Sequence, residues 1–283
     1  MSEIVTRFAP SPTGLLHLGH AYSALVAWNA AREAGGRFLL RIEYIDTARC
    51  RPDFTTAILE DLAWLGLDWD GAVRKQSEHF ADYAAALDRL DAAGLIYPCF
   101  CTRADIAAEI ARAGGAPQGE AGPLYPGTCR TPPTEERRRR IAAGESFALR
   151  LDVSRAFART GPLSWEEEGR GVIAAQPELL GDVVLARKDV PASYHLAVTI
   201  DDALQGVTLV TRGADLFAAT HLHRVLQALL DLPVPRYRHH TLLTDASGKR
   251  FAKRDKALTL RALRESGKTP GEIRAMAEAG CKP

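Results

Sequence analysis

An open parallel sheet, split in two by an insertion of different texture, is the fold the sequence predicts. Three observations predict it. Residues 5–45 read strand, tight loop, helix, strand, at the spacing of a right-handed crossover unit. Two later apolar runs, 181–187 and 206–212, read as buried strands that resume the sheet. Between them the composition turns to Cys, Gly, Pro and Arg. The limits that follow are a first half-sheet at 1–97, an insertion at 98–180, a second half-sheet at 181–243, and a basic loop with a helical tail at 244–283.

Residues 5–8 suit a buried strand, and Pro10, Pro12 and Gly14 force the loop after it. The Ala- and Leu-rich run 18–34 predicts a helix that stops at Gly35-Gly36. Residues 37–45 are almost continuously apolar, as in a sheet covered on both faces. Asp53 caps a helix running to about Leu65. Ser77 caps another, whose Phe80, Tyr83, Ala84, Leu87 and Leu90 share a core face before Gly94. In the insertion a short helix follows Cys101, and 114–127 is a loop rich in Gly, Pro and Ala. A helix at 135–143 carries Arg137-Arg-Arg-Arg140, and 147–153 alternates as a strand. The four arginines read first as a solvated face, and as phosphate contacts if the partner is RNA. A helix at 215–230, a strand at 237–243 and two short helical patterns split near 267–270 complete the chain.

Hydrophobic residues at 46% and charged residues at 25% are ordinary for a soluble protein. The net charge of +1 means that a polyanionic partner has to be held by a local patch. With no secretory signal and no apolar run of spanning length, the expectation is a cytoplasmic protein with no membrane partner. Five cysteines, an odd number, suit a metal or free thiols in a reducing compartment.

Residues 7–20, Arg-Phe-Ala-Pro-Ser-Pro-Thr-Gly-Leu-Leu-His-Leu-Gly-His, organise the rest. His17 and His20 stand three apart where a helix opens, so they share a face. The N–H groups and dipole of a helix start favour an anion, and Gly19 permits close backbone approach. The plain alternative is a pair of half-buried capping residues. Arg7, Glu43, Tyr194, Arg212 and Asp215 fall at or just after strand ends, in the crevice where open parallel sheets bind ligands. Two guanidinium forks and a carboxylate suit a small amino acid with two carboxylates and an ammonium. Cys99, Cys101 and Cys129, with Tyr125, offer three thiolates and a phenolic oxygen to a tetrahedral zinc, although spacing alone equally fits three unrelated thiols.

The stretch 7–20 resembles the His-Ile-Gly-His signature of class I aminoacyl-tRNA synthetases, with Leu18 in place of Ile, and its approach resembles the glutamyl and glutaminyl branch. The resemblance covers nearly the whole chain and implies a Rossmann-like parallel sheet split by a zinc-bearing α+β insertion, with a short helical C-terminal tail. It assigns ATP binding to Pro10, His17, Gly19, His20, Arg250 and Lys253, with His17, His20 and Lys253 catalytic. It assigns glutamate binding to Arg7, Phe8, Ala9, Pro10, Ser11, Glu43, Tyr194, Arg212 and Asp215. Cys99, Cys101, Tyr125 and Cys129 match its structural Zn²⁺ ligands, and Mg²⁺ accompanies ATP. Residues 247–254, Ser-Gly-Lys-Arg-Phe-Ala-Lys-Arg, are similar to the Lys-Met-Ser-Lys-Ser signature. Here Arg250 replaces the first Lys and Ala252 the Ser, which loses a hydroxyl donor.

The chain ends about thirty residues past Lys253, without a helical anticodon-reading half. In this it is similar to the glutamyl-queuosine tRNA(Asp) synthetases. That resemblance implies activation of L-glutamate without tRNA, then transfer to the queuosine in the anticodon stem-loop of tRNA(Asp), by a monomer. A minimal synthetase charging a tRNA 3′ end, another adenylyltransferase and a silent tRNA-binding paralogue are the alternatives.

Overall fold

The computed structural model describes residues 3–112, 118–119, 122–131, 134–243 and 259–279. Strand β1 (Val5–Phe8) is buried along its whole length and pairs in parallel with β2 (Arg37–Ile42) through the crossover helix α1 (Leu18–Glu33). A Cβ at Gly36 would lie 2.0 Å from the carbonyl oxygen of Ile4, so only glycine lets β2 start against β1. Helix α2 (Pro52–Trp64) follows, and β3 (Arg74–Lys75) adds a third parallel strand. Helix α3 (Phe80–Ala92) buries Tyr83, Ala86, Leu87 and Leu90, so Ala86 rather than Ala84 lies on the core face.

The middle of the chain holds β4 (Ile96–Cys99), α4 (Arg103–Arg112), a two-stranded ribbon of β5 (Gln118–Gly119) and β6 (Gly122–Pro123), α5 (Thr134–Ala142), β7 (Ala148–Leu151) and α6 (Val153–Thr160). The hairpin of β8 (Ser164–Glu167) and β9 (Gly171–Ala174) comes next, then β10 (Val184–Ala186). Here the structure departs from expectation. β10 does not resume the parallel sheet; it pairs antiparallel with β7, which pairs antiparallel with β4. The buried Asp182 carboxylate fixes this by accepting from Arg130 Nε (2.8 Å) and the Val153 N–H (3.0 Å), both in the middle segment.

The sheet resumes at β11 (Leu209–Gly213), reached through α7 (Tyr194–Leu204). β11, β12 (Arg236–His240) and β8 run parallel, with α8 (Ala219–Leu229) between β11 and β12. The Thr208 N–H donates to the Val5 carbonyl (2.9 Å) and the Val5 N–H to Thr208 Oγ1 (2.8 Å), which sets β1 beside β11. Beyond that point Arg7 Nη1 reaches across to the Thr211 carbonyl (3.0 Å). A cleft opens at this reversal of strand order, where sheets of this kind bind ligands.

Helices α9 (Leu260–Glu265) and α10 (Pro270–Ala279) bury Leu260, Leu263, Ile273 and Ala277 in the core beneath α1. The Leu260 N–H donates to the Leu16 carbonyl (2.9 Å), and Thr259 bridges to His17. The chain thus re-enters beside His17.

Candidate active site

The cleft between β1 and β11 has a volume of about 400 Å³. All twelve described residues read as amino-acid or nucleotide contacts line it: Arg7, Phe8, Ala9, Pro10, Ser11, His17, Gly19, His20, Glu43, Tyr194, Arg212 and Asp215. Arg250, Ala252 and Lys253 lie outside the described residues.

At the mouth of α1 the two imidazoles cap the helix and face the cleft at once. The Gly19 N–H donates to His17 Nδ1 (3.1 Å) and the His17 N–H to His20 Nδ1 (3.2 Å), a reciprocal capping box. The rings lie with centroids 3.7 Å apart, their planes tilted by 33°. Because both Nδ1 atoms accept, each neutral ring carries its proton on Nε2. Two features therefore differ from expectation. The N–H groups of Gly19 and His20 are satisfied within the turn, so these two helix amides donate to His17 and not outward into the cleft. Gly19 makes room for protein as well as ligand: a Cβ there would lie 3.1 Å from the His17 ring.

The two arginines are held in opposite ways. Arg7 is buried, and its side fork is taken by Asp202, with Nε at 2.9 Å and Nη2 at 3.3 Å. With Nη1 also donating to Thr211, one further N–H remains on each terminal nitrogen. Arg212 is equally buried but meets only neutral acceptors. These are His239 Nε2 (3.0 Å), His223 Nδ1 (3.1 Å), Thr220 Oγ1 (2.6 Å) and, at 3.4 Å, the Tyr194 hydroxyl. Among the described residues no carboxylate lies within ion-pair distance of Arg212; Glu167 is reached only through the far side of the His239 ring, at 2.9 Å from Nδ1. Burial, then the Arg212 charge, pushes His239 down to about 4 and His223 well below its usual value, so both rings are neutral acceptors. Arg212 is thus a buried cation whose hydrogen-bond partners are all neutral groups.

Glu43 stands opposite. Burial raises its carboxyl to about 7, and the Arg41 and Arg7 charges offset that only in part. Its nearest charged partner is Arg41 Nη2, at 3.9 Å.

Beneath these groups lies a network that sequence reasoning missed. Arg41, fully buried, donates from Nη1 to Asp202 (2.8 Å) and Gln205 (2.9 Å). Asp201 accepts from Arg74 (2.7 Å), Gln76 (2.8 Å) and the Tyr83 hydroxyl (2.9 Å). Burial pushes the Asp202 carboxyl up, but Arg7 and Arg41 outweigh it and hold it below the usual range. Two adjacent aspartates closing the apolar run of α7 were the available signal.

In the middle segment the sulfurs of Cys99, Cys101 and Cys129 lie within 4.8 Å of one another. Tyr125 Oη stands 3.4 Å from the Cys99 sulfur and 3.6 Å from that of Cys101, and Cys101 and Cys129 are 3.4 Å apart. A tetrahedral zinc with sulfur and oxygen ligands needs edges of about 3.5–3.8 Å, so the donor set fits the ion. Burial raises the Cys101 thiol to about 11. Arg137 braces this loop by donating to the carbonyls of Cys129 (3.4 Å) and Arg130 (3.3 Å). Arg138, Arg139 and Arg140 pair with Glu135, Glu136 and Glu145, which makes most of the arginine run a self-neutralised face.

Residues 3–278 match the family described as tRNA synthetases class I (E and Q), catalytic domain. A glutamyl-Q tRNA(Asp) synthetase of Rhodobacter capsulatus is 51% identical over 96% of this chain and 99% of its own length. The chain belongs to the glutamyl-Q tRNA(Asp) synthetase family. It is therefore a ligase of the class I synthetase fold. A second family member, from Nitratidesulfovibrio vulgaris, is 44% identical over 92% of this chain and 81% of its own. Among solved structures, the glutamate-tRNA synthetase of Elizabethkingia anophelis superposes with a TM-score of 0.76 at 28% identity. That match covers 90% of this chain and 53% of the other, so the family fold here spans about half of the longer enzyme. Among the described residues no helix is long and apolar enough to cross a membrane.

Proposed function

We propose that this chain activates L-glutamate with ATP, without tRNA, and transfers the glutamyl group to the queuosine of tRNA(Asp). The observation that carries the first step is the charge pattern of the cleft. Arg212 with its neutral partners, the remaining N–H groups of Arg7 and the Glu43 carboxyl face one volume beside paired imidazoles. A diacid bearing one ammonium answers all three; the guanidinium groups take its carboxylates and Glu43 its ammonium.

A carboxylate oxygen of glutamate then attacks the α-phosphorus of ATP, the new P–O bond forms, and pyrophosphate leaves with its electron pair. The Nε2–H groups of His17 and His20, with Lys253, donate to phosphate oxygens as charge builds. Mg²⁺ bound with the nucleotide would neutralise charge on it. In the second step an acceptor hydroxyl forms an ester with the activated carbonyl. AMP departs with the electron pair, and its phosphate takes the hydroxyl proton. The names of the relatives support queuosine of tRNA(Asp) as that acceptor, presented in an anticodon stem-loop. Zn²⁺ at Cys99, Cys101, Tyr125 and Cys129 would hold the loop after β4 in shape. The working form is a cytoplasmic monomer.

Glutamate-dependent exchange of pyrophosphate into ATP, with no RNA present, tests activation; its absence refutes it. Labelled glutamate offered to tRNA(Asp) with and without queuosine, and to tRNA(Glu), tests the acceptor. Label on tRNA(Glu) alone would instead support a minimal glutamyl-tRNA synthetase.

A further inference from the structure

A second cavity of about 490 Å³, a size usual for small-molecule sites, adjoins the first and shares Ser11, Glu43 and Tyr194 with it. It takes in neither His17 nor His20, so it meets the amino-acid end of the cleft and not the imidazole end. Its remaining wall is mixed: Ile45, Cys50 and Ala192 line it beside Thr13, Ser193, Asp46, Arg49, Arg187 and His195. Arg187 pairs with Asp46 (3.3 Å) and Asp189 (2.9 Å), while Arg49 is exposed and forms no ion pair among the described residues.

His195, also in this wall, is wired to the Arg212 side. Arg212 can only donate, so His223 accepts on Nδ1 (3.1 Å) and carries its proton on Nε2. That proton goes to His195 Nδ1 (3.1 Å), which leaves the His195 proton on Nε2, in the ring that lines the second cavity. Burial, then the Arg212 charge, pushes His195 down to about 4, so the ring stays neutral. A relay of two imidazoles thus joins Arg212 to a donor in the neighbouring space.

We propose that the second cavity binds the cis-diol of the acceptor nucleoside, with His195 Nε2–H donating to one hydroxyl and Arg49 meeting the RNA backbone at the mouth. This rests on the two-step reading above. Glu43 takes the ammonium there, so the activated carbonyl lies at the shared wall, within reach of a hydroxyl held on the other side. Two sources carry this chemistry: the cyclopentene diol of queuosine, and the ribose diol of a tRNA 3′ end.

The test compares His195→Phe, His195→Gln and Arg49→Ala in both half-reactions. For His195→Phe and Arg49→Ala, the KM for tRNA in transfer rises about tenfold or more, the size of one lost hydrogen bond or phosphate contact. The KM for glutamate in RNA-free exchange changes far less. His195→Gln, which keeps a donor, recovers part of the transfer. Blocking the terminal ribose diol of queuosine-bearing tRNA(Asp) as a 2′,3′-cyclic phosphate, which occupies both hydroxyls, leaves transfer intact if queuosine is the source, and abolishes it if the ribose is. Equal losses in exchange and transfer would overturn the proposal, by making the cavity a mere wall of the glutamate site. Unchanged transfer would overturn it by placing the acceptor elsewhere. Exchange absent from the unaltered protein would refute the activation reading instead.

Discussion

On the proposed reading, Glu43 makes glutamate binding a titration. With its carboxyl near 7, about nine-tenths of the protein is ready to take an ammonium at pH 8, and about one-tenth at pH 6. The KM for glutamate in pyrophosphate exchange therefore rises about tenfold from pH 8 to pH 6, since only ionised Glu43 pairs with the substrate. Stability runs the other way. The folded value exceeds the unfolded one, so the folded state holds the proton through the window from about 4.5 to 7, and stability falls as pH rises across it. Glu43→Gln removes the charge, and its KM is raised at pH 8 but flat with pH. The assay is exchange at saturating ATP from pH 6 to 8.5, for both proteins. A flat KM in the unaltered protein, or an unchanged slope in Glu43→Gln, refutes the assignment.

Asp202→Asn leaves the buried Arg7 and Arg41 without their shared anion, which costs about 3–5 kcal/mol, read as a fall in denaturation midpoint together with a higher KM for glutamate. His17→Ala removes the cap of α1 and one proposed phosphate donor; kcat for exchange drops about 10²–10³-fold, while the KM for glutamate moves little. Cys129→Ser, or a strong chelator, lowers bound zinc by elemental analysis and loosens the loop after β4 in hydrogen exchange, with the β1–β11 cleft retaining RNA-free activity. Asp61, buried at the α2–α9 contact, is raised by burial to about 6 with Arg264 only partly offsetting it, so it costs stability as pH climbs from about 4 to 6. Asp61→Asn raises the melting temperature at pH 8, by the equivalent of about 1–3 kcal/mol, and not at pH 4.

Much of the cleft was legible because its residues sit where local signals are strong. The loop of Pro10, Pro12 and Gly14, the helix start at Leu18 and the strand ends at Arg7 and Arg212 are punctuated by residues with few conformational options. Twelve positions picked from those signals share one volume. What escaped depends on tertiary contact. Helix α7 contains Val198, Thr199 and Ile200, residues that favour strands, and it is helical because Ser193 caps it and its apolar side packs inward. With α7 went Asp201 and Asp202, and so the ion network that aims Arg7. Strand β10 has three residues, too few for periodicity to reveal its partner, and the buried Asp182 decides it. The double role of His17 and His20 was likewise closed to sequence, because cap and donor differ only in which ring nitrogen faces where.

The most direct test of the account is a crystal structure with a non-hydrolysable glutamyl-adenylate analogue. The account predicts a ligand carboxylate within hydrogen-bonding distance of Arg212, the ammonium on Glu43 and the phosphate surrogate beside the Nε2 atoms of His17 and His20. A carboxylate bound away from Arg212, or an analogue lodged outside the β1–β11 cleft, would contradict it.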